Sequence, residues 1–313
     1  MKKCRRGIDK PVFIISLDTE LAWGRIRHPE NGVLTLLQSD AESLRGSINS
    51  LLSIFRKYSI PATWAIVGHL FLDRCDREGS LAHKNMPRFK KDWYSFDPCS
   101  DIHQAPLYYG KDIVEKILSN PVKHEIGLHS FSHVPFSECS REVAEAEVKE
   151  GVRLAKQFGI NLESFVFPEN KIGHIDVLKE QGFKIYRGRD VVRSNPKQRF
   201  LQRKLNGAMD IMMPRMAEPI QRDGMWEIPS AGMFSEIPQI PSGLLLRGRL
   251  GLARAIHQNK VFHIWLHPHS LLAQPSLAGH LDQFLKLVSK RREQGKIQVM
   301  TMGELASHLN QGR

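Results

Sequence analysis

Short apolar runs alternate with longer amphipathic ones along the whole chain, and this alternation limits the fold more than any other property of the sequence. β-Rich apolar runs fall at residues 12–17, 62–67, 125–128, 164–167, 183–186, 226–228, 261–266 and 297–300. Between them, apolar residues three or four apart mark helices over 41–58, 111–119, 138–158, 174–181, 246–258 and 277–292. Gly159 follows one of these helices and suits its C-terminal cap. Strands that alternate with helices pair in parallel. Seven or eight such units predict one α/β domain over 1–313, a single barrel of seven or eight parallel strands; an open doubly wound sheet usually needs fewer. In a barrel, the loops leaving the C-terminal strand ends converge on one face, where chemistry sits. Two stretches, 73–110 and 191–224, are too long for plain connections and read as insertions that shape a site.

Composition narrows the class. With 41% apolar and 25% charged residues, a chain of 313 residues can bury a substantial core, so an ordered globular protein is expected. No apolar run reaches the roughly 18 residues needed to cross a bilayer. The basic opening "MKKCRRG" is followed by "IDKPVFIISLDTE", too short and too soon charged for a signal-peptide core, and a cytoplasmic protein is expected. Cys4, Cys75, Cys99 and Cys139 lack any C-x-x-C spacing, which argues for reduced thiols and against a disulfide framework or a structural zinc knot. The net charge of +12 calls for an anionic counterpart: nucleic acid, an acidic membrane surface or a phosphate-bearing substrate. No aromatic-interleaved basic stripe, zinc finger or RNP-like pattern is present, so nucleic acid is not expected. Peripheral contact with an anionic membrane stays open, and nothing sets an oligomeric state.

Four strand ends carry the residues for chemistry. "HEIGLHSFSHVPF" places His129 and His133 four apart at the end of a strand, and residues 130–135 are expected to wind as one turn that brings both imidazoles to one side. Spacing alone is weak, because His263 and His267 repeat it. A two-histidine metal site needs a further ligand, for which a carboxylate is usual. "VFIISLDTELAWG" offers Asp18 and Glu20 at the end of a strand apolar enough to be buried, where ionised carboxylates require a compensating cation. The bland alternative pairs Glu20 with Arg25 or Arg27 at the surface. In "VFHIWLHPHSLL", alternation puts His263, Trp265 and His267 on one face, with His263 a core histidine and His267 free to act at the edge. In "FVFPENKIG", Pro168 turns the chain out of its strand before Glu169 and Asn170, forming a loop rim.

In chain order, these Asp-x-Glu, His-x-x-x-His, Pro-x-Asn and Leu-His strand ends resemble the polysaccharide deacetylase family, the NodB-homology carbohydrate esterases, over about residues 10–270. The resemblance implies a distorted barrel holding one divalent metal, usually zinc, through a carboxylate and the two histidines of an H-[ST]-x-x-H motif. "HSFSH" matches that motif at every fixed position. It further implies Asp18 as general base, Glu20 with His129 and His133 as metal ligands, and His267 as general acid. Pro168 and Asn170 fall in the third motif and Trp226, in "WEIPSAG", in the fourth, as substrate contacts. Three departures stand out. Thr19 occupies the place of a second adjacent aspartate, leaving open which of Asp18 and Glu20 binds metal; Val166 stands where an arginine is usual; Glu169 stands where a basic residue is.

The expected reaction is metal-assisted hydrolysis of the N-acetyl group of an amino sugar in a glycan or glycan precursor, with a phosphate-bearing nucleotide- or lipid-linked sugar suiting the charge. Two alternatives are a hydrolase of a cyclic imide, cyclic amide or other small N-acyl compound, and a catalytically silent member that binds glycan or a partner protein.

Overall fold

The computed structural model describes residues 4–5, 8–25, 41–78, 81–90, 93–191, 214, 216, 218–236 and 243–311. Its first half runs β1 (Cys4–Arg5), β2 (Val12–Thr19), α1 (Ala41–Tyr58), β3 (Thr63–Ile66), β4 (Arg77–Glu78), β5 (Leu81–Ala82), α2 (Lys111–Leu118), β6 (Glu125–Leu128) and α3 (Arg141–Gln157). It continues through β7 (Ser164–Val166), α4 (Ile175–Glu180), β8 (Ile185–Arg187), β9 (Ile220–Arg222), β10 (Met225–Ile228), α5 (Gly243–Gln258), β11 (Val261–Leu266), α6 (Ser270–Ala273), α7 (Leu277–Glu293), β12 (Gln298–Val299) and α8 (Met302–Gln311). Helix ends follow local chemistry. The helix expected from residue 138 begins at Arg141, because Ser140 caps it by accepting a bond from the Val143 amide; Phe136–Glu138 form a separate 3-10 turn. Gly159 adopts φ +71 just past the other end, as its position predicted.

Parallel pairing orders the strands β10-β8-β7-β6-β3-β2-β11. Beyond β10, the Ala231 amide donates to the His263 carbonyl, the Phe234 amide donates to the Trp265 carbonyl, and Met233 bridges Trp265 in parallel. The chain leaving β10 thus reaches the outer edge of β11, and seven parallel strands form a ring completed by this irregular segment. The run at 297–300 contributes only β12, two residues beside Val12 and Phe13 at the base of β2. β9 and β1 extend the sheet as an antiparallel tail.

Two-residue periodicity sorts the side chains of β2. Phe13, Ile15 and Leu17 join the cluster under the helices, whereas Val12 and Ile14 join Ala65, Val166, Ile185 and Ile228 inside the ring. Met302, Leu305, Ala306 and Leu309 of α8 belong to the same inner cluster and plug the base. Polar inward residues occupy the C-terminal ends of the strands. The insertion at 73–110 includes the β4–β5 pair; in the 191–224 stretch, residues 192–213, 215 and 217 lie outside the described residues. Among the described residues, no helix is long and apolar enough to cross a membrane.

One buried histidine couples the fold to acid. His124 Nδ1 accepts from the Ala62 amide at 3.2 Å, and burial lowers its pKa from 6.5 to about 4. Above pH 6.5 the folded and unfolded chains both hold it neutral; as pH falls toward about 4, only the unfolded chain gains the proton, so stability declines across that window. Thermal unfolding should show the decline, with a smaller one in His124→Asn. Identical pH profiles for the two proteins would contradict this.

Candidate active site

Alternation along β2 decides which of its polar residues meet. Asp18 follows Ser16 into the ring, Glu20 continues the row one residue past the strand, and Thr19 faces the helices. The two acids have different partners. Glu20 Oε1 lies 3.1 Å from Nε2 of His129, 3.1 Å from Nε2 of His133 and 3.5 Å from Nε2 of His267. Asp18 is instead clasped by Arg187, Nη1 to Oδ1 at 2.5 Å and Nη2 to Oδ2 at 2.6 Å, a bidentate pair buried on both sides. The surface pairing of Glu20 with Arg25 is not formed: Glu20 is buried, and Arg25 bonds His269. Gly24 leaves the space for Glu20, since a Cβ there would collide with its carboxylate.

Protonation in this cluster is constrained. His129 Nδ1 sits 2.7 Å from the Val166 carbonyl, which only accepts, so the neutral ring presents a lone pair at Nε2 toward Glu20. A neutral His129 and Glu20 Oε1 would then meet as two acceptors 3.1 Å apart, a contact that either a proton on the ring or a metal ion between them relieves, and the His133 Nε2 approaches the same carboxylate oxygen at 3.1 Å. Two imidazoles and one carboxylate are a donor set that fits a catalytic zinc with an open position. Burial raises the Glu20 pKa, but His267, His133 and His129 outweigh it and hold the carboxyl well below its ordinary range. Burial likewise acts against Asp18 ionisation and is overcome chiefly by Arg187, so its pKa is lowered. For His267 burial favours the neutral ring, yet Glu20 and then Asp18 prevail and its pKa rises.

The loop carrying the histidines is not the single turn expected at 130–135. Ser130 and His133 adopt φ +56 and +63, and the Val134 amide bonds Ser130 Oγ at 3.1 Å. Glu147, buried on α3, explains why such a loop holds: it accepts from the Ser132 amide at 2.7 Å, the Ser132 hydroxyl at 2.5 Å and the Tyr94 hydroxyl at 3.2 Å. Glu147→Ala should destabilise the protein by about 1–3 kcal/mol for each donor left unpaired and weaken the grip on His133. Chemical denaturation measures this, and a loss below about 0.5 kcal/mol would contradict it.

A cleft of about 340 Å³ opens over these groups and is lined by Asp18, Glu20, His133, Asn170, Trp265 and His267 among others. Asn170 Oδ1 accepts from Arg187 Nη2 at 3.3 Å, and Trp265 lies 4.4 Å beneath the same guanidinium. Pro168 is buried and opens the turn Pro168–Asn170, in which Glu169 and Asn170 have φ of +53 and +54; it positions the rim without lining the cleft. Trp226 stands apart at the base of the ring, its indole N–H bonded to Asn310 Oδ1 at 3.0 Å, and Trp265 is the tryptophan at the cleft. Arg187 is the residue that sequence reasoning missed. Val166 pairs with Arg187 across the β7–β8 ladder, so the guanidinium absent at 166 arrives from the adjacent position on the next strand.

A family model described as polysaccharide deacetylase matches residues 33–185. No curated protein matches the chain significantly. Among solved structures, the chain is similar to a Mycobacterium smegmatis protein assigned as a polysaccharide deacetylase, with TM-score 0.65, 14% identity, and 98% of this chain and 94% of that one covered. A Pseudomonas aeruginosa PAO1 protein with the same assignment gives 0.58 at 11% identity, covering 96% and 91%. A Puue allantoinase gives 0.58 at 12% identity, covering 95% and 89%. At these identities the structural likeness establishes the fold, a NodB-type barrel.

Proposed function

We propose that this chain, which belongs to the polysaccharide deacetylase family, is a metal-dependent hydrolase that removes the N-acetyl group of an amino sugar in a glycan or glycan precursor. The family indicates a hydrolase of carbon–nitrogen bonds and a carbohydrate substrate. The observation that carries the finer reading is the meeting of three metal-ligand atoms, Glu20 Oε1 with the Nε2 atoms of His129 and His133, at the floor of a cleft that also holds Asp18 and His267. These three residues would hold one divalent metal, with zinc favoured by the donor set.

When bound there, such a metal supplies a water of near-neutral pKa and polarises the amide carbonyl. Asp18 takes the proton of the attacking water; Arg187 keeps Asp18 ionised and fixes the direction of its carboxylate. His267, with Nε2 3.5 Å from Glu20 Oε1, gives a proton to the departing nitrogen, which is a poor leaving group as an anion. Asn170, oriented through Arg187, and the Trp265 face offer polar and apolar contact to a sugar ring. Arg25 at the cleft and the net charge of +12 favour a substrate carrying phosphate, such as a nucleotide- or lipid-linked sugar, and with it a cytoplasmic location or a peripheral position at an anionic membrane.

Acetate release from a panel of free, nucleotide-linked and lipid-linked N-acetyl sugars tests this, with a cyclic imide as control. Release from a sugar substrate is expected. Turnover of the imide alone, or of nothing by metal-replete protein, would overturn the reading.

A further inference from the structure

A second cluster of metal-binding side chains lies in the 73–110 insertion and on the turn that precedes it, and it shares no residue with the site above. His69, in the 3-10 turn Gly68–Phe71 after β3, Cys75, His83 and Asp97 each direct one donor atom to a common point, all within 4.8 Å of one another. Asp97 Oδ2 is 3.1 Å from His69 Nε2, 2.8 Å from His83 Nε2 and 3.4 Å from Cys75 Sγ, and the two Nε2 atoms are 3.2 Å apart. Donors around one tetrahedral zinc, at about 2.0–2.1 Å for nitrogen or oxygen and about 2.3 Å for sulfur, stand about 3.3–3.6 Å apart.

Protons alone serve this cluster poorly. His69 Nδ1 is 2.9 Å from the Tyr108 carbonyl, which fixes the N–H there and leaves Nε2 a lone pair in the neutral ring. That lone pair faces the Asp97 carboxylate with no proton of its own to offer. A single proton on His83 Nε2 would have to serve both Asp97 and His69, and charging both rings would bury two cations 3.2 Å apart, with His69 and Asp97 both at 0% exposure. A divalent cation satisfies all four donors at once. His83 adopts φ +48, in the left-handed region.

We propose that His69, Cys75, His83 and Asp97 bind a second, structural zinc ion. Four protein donors close its coordination, and thiolate with imidazole selects zinc among the common divalent cations. Its place in the fold states its role. The rings of His69 and His83 pack on Phe131 at 5.6 Å and 5.2 Å, and the Gly68 and His69 amides donate to the carbonyls of Ser130 and Phe131 at 2.7 Å and 2.8 Å. The ion therefore ties the insertion to the back of the loop that carries His129 and His133. The cysteine spacing gave no hint of it, since only one thiol takes part.

Cobalt replaces zinc in such sites, and a thiolate ligand gives Co²⁺ a near-ultraviolet charge-transfer band. The first cluster contains no sulfur, so the band reads the second cluster alone. Full-length protein produced in cobalt-supplemented, zinc-depleted medium should show this band and hold about two metal ions per chain. His129→Ala should retain the band with about one ion, and Cys75→Ser should lose the band and keep about one. No band in the wild-type protein, or a band that survives in well-folded Cys75→Ser, would overturn the proposal; if that variant fails to fold, the wild-type spectrum decides by itself. A band with only about one ion in the wild type would sustain this site and count against the metal in the first, so the two readings fail separately.

Discussion

Glu20→Gln is expected to lower turnover by about 10³-fold or more, equivalent to about 4 kcal/mol in the barrier, and to empty the first metal site. The change is nearly isosteric, so it respects the close approach of Gly24 and leaves the loop packing in place. It removes the negative charge that lies 3.1 Å from the Nε2 atoms of both His129 and His133. A neutral amide can also donate to one of those nitrogens without any cation, so the variant gains less from binding metal than the wild type does. Metal analysis and kcat on the same preparation check this, with His129→Ala as the companion variant. Full activity in Glu20→Gln would transfer the ligand role to Asp18.

Arg187→Met should affect stability and chemistry together. Asp18 is 3% exposed, and without its guanidinium partner it becomes an uncompensated buried charge, a loss of about 3–5 kcal/mol in unfolding experiments. Activity should fall by about 10²–10⁴-fold, in kcat more than in KM, because a base that rises toward protonation and loses its fixed direction no longer takes the proton of the water. Arg187→Lys restores the charge but not the two parallel bonds, so partial recovery is expected. Adding Asp18→Asn to Arg187→Met should return much of the lost stability, since it deletes the orphaned charge. Additive destabilisation in that double variant would contradict the pairing.

The strand ends were legible because polar residues break into apolar runs there, and two-residue alternation sends Asp18 and Glu20 inward past Thr19. The same rule read His263 as core and His267 as edge. What the sequence could not supply were distances across the ring. Arg187 sits in a basic run that reads as surface charge, and only the pairing of β7 with β8 turns it toward Asp18 in place of an arginine at 166. Glu147 looks like any helix glutamate until α3 packs behind Ser132. Local spacing suggested a turn at 130–135, but tertiary bonds to Ser132 and the left-handed Ser130 and His133 override it. Trp226 was drawn to the cleft by its motif, although it points inward two residues from Ile228 at the base of the ring, where α8 covers it. The His69–Asp97 cluster stayed hidden because its four donors are spread over residues 69–97 with no regular spacing.

The central claim is that hydrolysis depends on metal held by Glu20, His129 and His133. Its most direct measurement is acetate release from an N-acetyl amino sugar by protein stripped with a chelator and then titrated with zinc, in wild type and His129→Ala. Activity should vanish on stripping, return with zinc in the wild type, and stay absent in the folded variant at any zinc concentration. Undiminished acetate release by the stripped protein, or equal restoration of His129→Ala, would contradict it.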